Sequence, residues 1–383
     1  MKTFFSTLVF VLMSATLVVA QPQHRGGAGG PQGRHFREPG FKQMARMESL
    51  DRMPEERVRA VADTLLAYQF PSGGWAKNHA WQMRDLTEQE AAERAAMRRA
   101  IAGDGVGSTI DNDATTSEMQ FLCKAYSRTG DVRYRDAAVR GVDYLLAMQY
   151  ANGGWPQYWP SRPTGYDGVP PYADHITFND NAMVLVMRQL WSVAKGEAPY
   201  DVLQLSAAVR ERCQQAFDRG VQCILDCQIV KDGKRTVWCQ QHDEKTLAPA
   251  RARAYELPSF TGNGETCGIL QLLMELPNPS PEVVASVTAA VDWLKAHAMR
   301  DKAMSHEVDS LGRPNRIMVD KPGSQLWARF YDLETEQPYY CDRDGIKRSR
   351  LSDIGYERRN GYGWAGEGPL EVFAAYDKWI VGK

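Results

Sequence analysis

Apolar residues recur at helical spacing along most of the chain, grouped as pairs of runs joined by a short turn such as Thr129-Gly-Asp131. One run reads Tyr134, Ala138, Val142, Leu145. Three others are Met119, Leu122, Ala125, Tyr126, then Met183, Val186, Met187, Leu190, then Ile269, Leu270, Leu273. Each of these three follows a polar loop: Ser108–Glu118, His175–Ala182 and Arg251–Gly262. The pattern also repeats at long range. Leu65-Leu-Ala-Tyr-Gln-Phe-Pro-Ser-Gly-Gly-Trp75 recurs as Leu145-Leu-Ala-Met-Gln-Tyr-Ala-Asn-Gly-Gly-Trp155, with a weaker third copy at Ile224–Gly233 and a fourth at Trp293–His297. Each copy closes a helix and enters a tight turn. The unit is helix, turn, helix, small hairpin. Such units bury their apolar faces only against one another. Three or four copies are too few for an open superhelix, so we expect an all-α fold, an incomplete α/α toroid of antiparallel helix pairs with short β-hairpins. Inner helices that start side by side would bring the three polar loops together on one rim.

The ends of the chain read differently. Residues 1–20 carry Lys2, an apolar run from Phe4 and the small-residue site Val18-Val-Ala20, which is the pattern of a signal peptide and is short for a membrane span. Residues 21–45 are Gly-, Pro- and Arg-rich and read as a flexible linker. Residues 46–383 are left as the folded domain, starting somewhere between Phe41 and Leu50. We expect a secreted or periplasmic protein, a monomer, with no membrane association after signal cleavage.

Composition adds little. The chain is 43% hydrophobic, enough for a full core, and a net charge of −1 gives no sign of a nucleic-acid partner. Seven cysteines occur without any Cys-x-x-Cys pair, and Cys223 and Cys227 lie one helical turn apart. Buried thiols are expected, not zinc.

The candidate chemistry sits in the polar loops. Asp111, Asn112 and Asp113 stand directly before a helix, where one Asp or Thr would suffice as a cap. Asn179, Asp180 and Asn181 repeat the arrangement. Three oxygen-bearing side chains in a row, with no Cys or His among them, suit calcium or magnesium.

Six ordered motifs, Gly73-Gly-Trp-Ala-Lys-Asn78, Thr109-Ile-Asp-Asn-Asp-Ala-Thr115, Asn152-Gly-Gly-Trp-Pro-Gln157, His175–Asn181, Arg253-Ala-Tyr-Glu-Leu-Pro-Ser259 and Trp327-Ala-Arg-Phe-Tyr-Asp332, together resemble polysaccharide lyase family 10, pectate lyases with an α/α toroid. The resemblance runs from about Leu65 to the Gly361-Tyr-Gly-Trp364 region. It implies calcium-assisted β-elimination of polygalacturonate or pectin oligosaccharides. Residue by residue, it points to Asp111, Asn112 and Asp180 as calcium holders, with Asp113 a competitor, and to Arg253 as the base. Neutralising an arginine near pH 7 costs on the order of 7 kcal/mol at ~1.36 kcal/mol per pKa unit, so an alkaline optimum is expected. Lys77 and Arg343 would grip substrate carboxylates, with Arg329 weaker because an arginine among aromatics often pairs internally. Tyr255 would meet a sugar face. Trp75 and Trp155 suit packing at helix ends better than stacking on sugars. His175 would act beside Asp180, as leaving-group acid or, as we prefer, through a supporting hydrogen bond. Glu256 would pair with a nearby cation. Two other readings stay open: an inverting glycoside hydrolase with Asp113 and Glu256 as its carboxylates, and a non-catalytic polyuronate-binding protein.

Overall fold

In a computed structural model, residues 40–77, 107–161 and 172–382 are described. The expected leader and most of the linker lie outside them. The structural unit that concerns us begins at Pro39.

Four tryptophans set the architecture. Each donates its indole N–H to a carbonyl near the end of the helix before it: Trp75 to Leu65 at 2.8 Å, Trp155 to Leu145 at 2.8 Å, Trp238 to Ile224 at 2.7 Å and Trp327 to Leu294 at 2.8 Å. A carbonyl left over by a helix end is thereby satisfied inside the core. Each indole also buries enough surface for roughly 4–6 kcal/mol of gross hydrophobic transfer. A glutamine completes the first three copies. Gln69 Nε2 donates to Gly73 O and Ala137 O, Gln149 Nε2 to Gly153 O and Ala216 O, and Gln228 Nε2 to Thr236 O and Ser286 O. One amide thus closes its own hairpin and clasps the next outer helix.

The helices are α1 (Phe41–Arg46), α2 (Glu55–Tyr68), α3 (Thr116–Thr129), α4 (Val132–Ala147), α5 (Ala182–Lys195), α6 (Ala207–Cys227), α7 (Gly264–Met274), α8 (Pro281–Ala296), α9 (Tyr356–Gly361) and α10 (Gly368–Ile380). The tryptophan and glutamine clasps belong to α2, α4, α6 and α8, the outer helices. The inner helices α3, α5, α7 and α10 touch in that order, which gives a mostly helical, incomplete toroid. Burial follows the layers: α7 buries Glu265, Thr266, Cys267, Ile269, Leu270, Leu272 and Leu273, covering every face.

Capping separates the two layers. Asp131, Ser206 and Ser280 accept a backbone N–H at the starts of α4, α6 and α8. Inner helices α3, α5, α7 and α10 have no side-chain cap. The polar residues ahead of them are therefore not employed as caps.

Three features depart from the expectation. The linker expected to reach residue 45 gives way to α1 at Phe41, because Phe41, Met44 and Ala45 are apolar and bury against α3. The third hairpin holds an extra turn at Asp232-Gly233, which delays its tryptophan to Trp238. The fourth hairpin is not short: Met299–Val308 pairs antiparallel with Pro314–Ala328 as a long ribbon. All seven cysteines are buried and free, with Cys223 Sγ 4.0 Å from Cys227 Sγ.

Candidate active site

The strand after each tryptophan pairs with the loop that leads into an inner helix. Trp75 O accepts from Thr109 N, Trp155 O from Thr177 N and Trp238 O from Thr261 N. Two residues further on, Gln157 O accepts from Ile110 N, Gln240 O from Phe178 N and Asn179 N, and Arg329 O from Gly262 N. Gln157, Gln240 and Arg329 consequently occupy the same seat in successive modules, and Lys77, two residues past Trp75, stands at the matching sequence position of the first. Asp111, Asn179 and Asn263, each two residues past a paired threonine, share another.

Asp111–Asp113 and Asn179–Asn181 form single 3-10 turns that touch each other. Asn112, Asp113, Asp180 and Asn181 all have φ between 51° and 61°. Asn and Asp tolerate this left-handed region better than other side-chain-bearing residues, which explains the composition of both loops.

Around these turns runs one network of alternating charge. Asp111 is 1% exposed; its Oδ2 accepts from Lys77 Nζ and lies 3.6 Å from Arg253 Nη2. Its Oδ1 is buried with no hydrogen-bond partner. Arg253 Nη1 donates to Glu256 Oε1 at 2.8 Å, and the guanidinium sits 5.8 Å from the Tyr172 ring. Tyr362 Oη donates to the same Glu256 oxygen at 2.8 Å. Arg329 lies 4.6 Å from the Tyr362 ring and donates to Asn179 Oδ1 at 3.1 Å, to Asp180 Oδ1 at 2.9 Å and to Glu265 Oε1. Asp111, Arg253 and Asp180 are thereby linked through Glu256, Tyr362 and Arg329.

The electrostatics follow from burial and these pairings. Burial pulls Lys77 down, but Asp111 outweighs it and holds the ammonium above its ordinary pKa. Burial pushes Asp111 up, and Lys77 and Arg253 together bring it below the usual carboxylate range. For Arg253 burial again pulls down, while Glu256, Tyr172 and Asp111 raise it well above the ordinary arginine value. Without substrate, the pocket therefore keeps Arg253 protonated.

The remaining candidates fall in different places. Asp113 turns to α1, 3.3 Å from Lys42 and 2.5 Å from Arg46. Arg343 pairs with Glu357 at 3.1 Å and lies 5.9 Å from the Tyr255 ring, which packs edge-on against Tyr362. His175 Nδ1 is 3.2 Å from Glu244 Oε2, and with Asp243 and Glu244 it forms the one metal-type cluster of His, Cys, Asp and Glu among the described residues. Buried His242 accepts from Cys239 N and contacts Leu247 O, and burial lowers its pKa to about 4. Trp75 and Trp155 are buried in their helix ends. Tyr172, Tyr362, Glu265, Gln157 and Gln240 were not singled out from the sequence. The recurrence of a polar residue two positions after each tryptophan is the signal that locates Gln157 and Gln240.

The donors near Asp111 suit a hard divalent cation. The oxygen candidates are the orphaned Asp111 Oδ1, the Asn112 side chain on the same turn and, on the touching turn, the Asp180 carboxylate, whose side chain is 44% exposed and accepts from Arg329. So few protein ligands leave positions for water or for a substrate carboxylate.

Comparison with known proteins gives the family of the chain. The model of the pectic acid lyase family matches residues 69–373. The family 10 polysaccharide lyase from Cellvibrio cellulosa is 34% identical, with a TM-score of 0.69, covering 87% of this chain and 98% of that one. An aspartate-to-alanine mutant of the Cellvibrio cellulosa family 10 polysaccharide lyase, in complex with trigalaturonic acid, is 33% identical with a TM-score of 0.69, covering 87% and 99%. A search of curated proteins gives no match.

Proposed function

The chain belongs to the pectic acid lyase family and is a pectate lyase, and on that premise we propose that it cleaves polygalacturonate by calcium-assisted β-elimination, with Arg253 as the base. One observation carries the reading. Asp111, with a buried oxygen that has no partner, lies 3.6 Å from Arg253 in the same pocket.

The reaction removes the C5 proton of a galacturonate next to its C6 carboxylate. The C5–H electron pair becomes the C4=C5 double bond, the C4–O4 bond breaks, and O4 leaves and takes up a proton. Negative charge accumulates on a group already anionic, so concentrated positive charge at that carboxylate lowers the barrier. Calcium held by Asp111, Asn112 and Asp180 would supply that charge when bound. Lys77 holds Asp111 in place and, with Arg343, offers cationic binding to neighbouring carboxylates. Arg329 is a positioning residue: 9% exposed, it fixes Asn179, Asp180 and Glu265. Arg253 takes the C5 proton in its neutral form, so the rate rises with pH. Glu256 orients that guanidinium at the cost of raising its pKa.

The observed pairings favour the lyase reading over a hydrolase. Glu256 is fully buried and holds Arg253 and Tyr362, and Asp113 is tied to Lys42 and Arg46. The trigalaturonic acid complex of the Cellvibrio relative supports an oligogalacturonate substrate. We also propose export to the periplasm or medium from the apolar leader pattern; no helix among the described residues is long and apolar enough to cross a membrane.

The test is ultraviolet absorbance of the unsaturated product from polygalacturonate and from its methyl ester, with calcium, with chelator, and after calcium is restored. Product from the acid form that disappears on chelation and returns with calcium is expected. Unchanged turnover in chelator removes the calcium assignment, and unchanged turnover in Arg253→Ala removes the base.

A further inference from the structure

The long ribbon of the fourth module does more than close a hairpin. Between it and the segment 349–359 lies a pocket of about 750 Å³, within the range of small-ligand sites. Its walls carry Arg300, Arg316, Arg350 and Arg359. One lining carboxylate, Glu307, accepts from Asn315 Nδ2 at 3.1 Å. Its floor is Tyr340 with Met299 and Met318, whose sulfurs both lie 3.9 Å from Tyr340 Oη.

Two of the arginines have no compensating group. Arg300 and Arg350 are exposed and have no side-chain hydrogen bond, ion pair or ring contact among the described residues. Arg316 spends one nitrogen, Nη1, on Tyr362 O at 3.2 Å. Arg359 is fixed by Asn315 Oδ1, Ser352 O and Ile354 O. Like charges gathered at one pocket repel, and an anion relieves that repulsion. The guanidinium fork matches a carboxylate with two parallel hydrogen bonds. The half-buried Met299 and Met318, backed by Tyr340, suit the C–H face of a pyranose ring, for which inorganic phosphate has no counterpart.

Arg253, Asp111 and Glu256 are not among the residues that line this pocket. Tyr340 lies 5.9 Å from Trp364, Trp364 lies 4.9 Å from Tyr362, and Tyr362 reaches Glu256. A row of aromatic contacts thus connects the pocket's Tyr340 to the Glu256 side chain. We propose that the pocket is a second binding site, for a short oligogalacturonate with free carboxylates, which rests on the polyuronate reading above. A long polymer held there would raise its effective concentration at Arg253, while a trimer would gain nothing.

The experiment is calorimetric titration of the full chain carrying Arg253→Ala with trigalacturonate, its methyl ester and inorganic phosphate. It is repeated after adding Arg300→Ala with Arg350→Ala, and after adding Arg300→Glu with Arg350→Glu. Two binding events with trigalacturonate are expected, one of them weakened at least about tenfold by the double alanine change and abolished by charge reversal. The ester and phosphate should leave that event empty. A single event, two events that both survive the substitutions, or equal occupancy by phosphate overturns the proposal. With Arg253 intact, the double alanine change should raise KM for long polygalacturonate several-fold and leave trimer turnover unchanged. Absence of unsaturated product from any polymer defeats the lyase reading, while the titration still reports on the pocket.

Discussion

Arg253 Nη1 and Glu256 Oε1 are 2.8 Å apart, and this buried carboxylate is the strongest influence holding the guanidinium protonated. Removing the negative charge therefore lowers the pKa of Arg253. At any given pH a larger fraction is then neutral. Glu256→Gln keeps an oxygen to accept from Arg253 and Tyr362, so the geometry is largely preserved. We predict that the alkaline rise of kcat/KM moves toward neutral pH by about one unit or more. A pH–rate profile of the variant checks this, and an unmoved profile means that another group titrates.

The two aspartates of the first polar loop should separate cleanly. Asp111→Asn removes the carboxylate between Lys77 and Arg253, and we predict a loss of about 10²–10³-fold in turnover with a higher calcium requirement. Asp113→Asn releases only Lys42 and Arg46. Turnover should stay near that of the parent, and stability should fall by less than about 1 kcal/mol. Steady-state rates across a calcium series, with denaturant melts of both variants, decide between them.

How far this site could be read in advance depends on what sits between a helix end and its tryptophan. In the first two modules Leu and Trp are 10 residues apart, and the repeat is plain. The separation grows to 14 in the third and 33 in the fourth, where the ribbon intervenes. Periodicity fades there although the hydrogen bond is the same. Helix pairing, buried tryptophans and the polar loops were legible because each leaves a local pattern. The turn of Asp113 toward α1 and the Glu256–Tyr362 contact were not, since each depends on residues far apart in sequence; internal pairing was expected of Arg329, but not its partners Asn179, Asp180 and Glu265. The partner of His175 was hidden for the same reason, since Glu244 is brought close by the pairing of Ile176 with His242.

Glu118, at the start of α3, gives the fold a pH dependence of its own. Burial raises its carboxyl to about 8, and its Oε2 has no partner. Between pH 4.5 and about 8 the folded chain keeps a proton that the unfolded chain gives up, so stability falls as pH rises through that window. Above it the full penalty applies, on the order of 3–5 kcal/mol. Glu118→Gln should flatten the decline and stabilise the protein at alkaline pH. Urea unfolding at pH 6 and pH 9 measures both curves; equal slopes in parent and variant refute the assignment.

The tight turns should rank by available space. At Gly153, φ is +86° and an added Cβ would lie 2.1 Å from Arg219 O. At Gly130, φ is +69° with nothing within 4 Å. Gly130→Ala should cost about 1 kcal/mol for its backbone alone, and Gly153→Ala at least about 3 kcal/mol because the neighbouring main chain must shift. Thermal melts of the pair check the order.

Lys77, Gln157, Gln240 and Arg329 are four plugs in one kind of socket, two residues past each tryptophan, and the last three share the same main-chain bonds. Cations fill the first and last sockets and neutral amides fill the middle two. A change of charge on the polymer can thus be met by exchanging one plug, with no rebuilding of the scaffold around it.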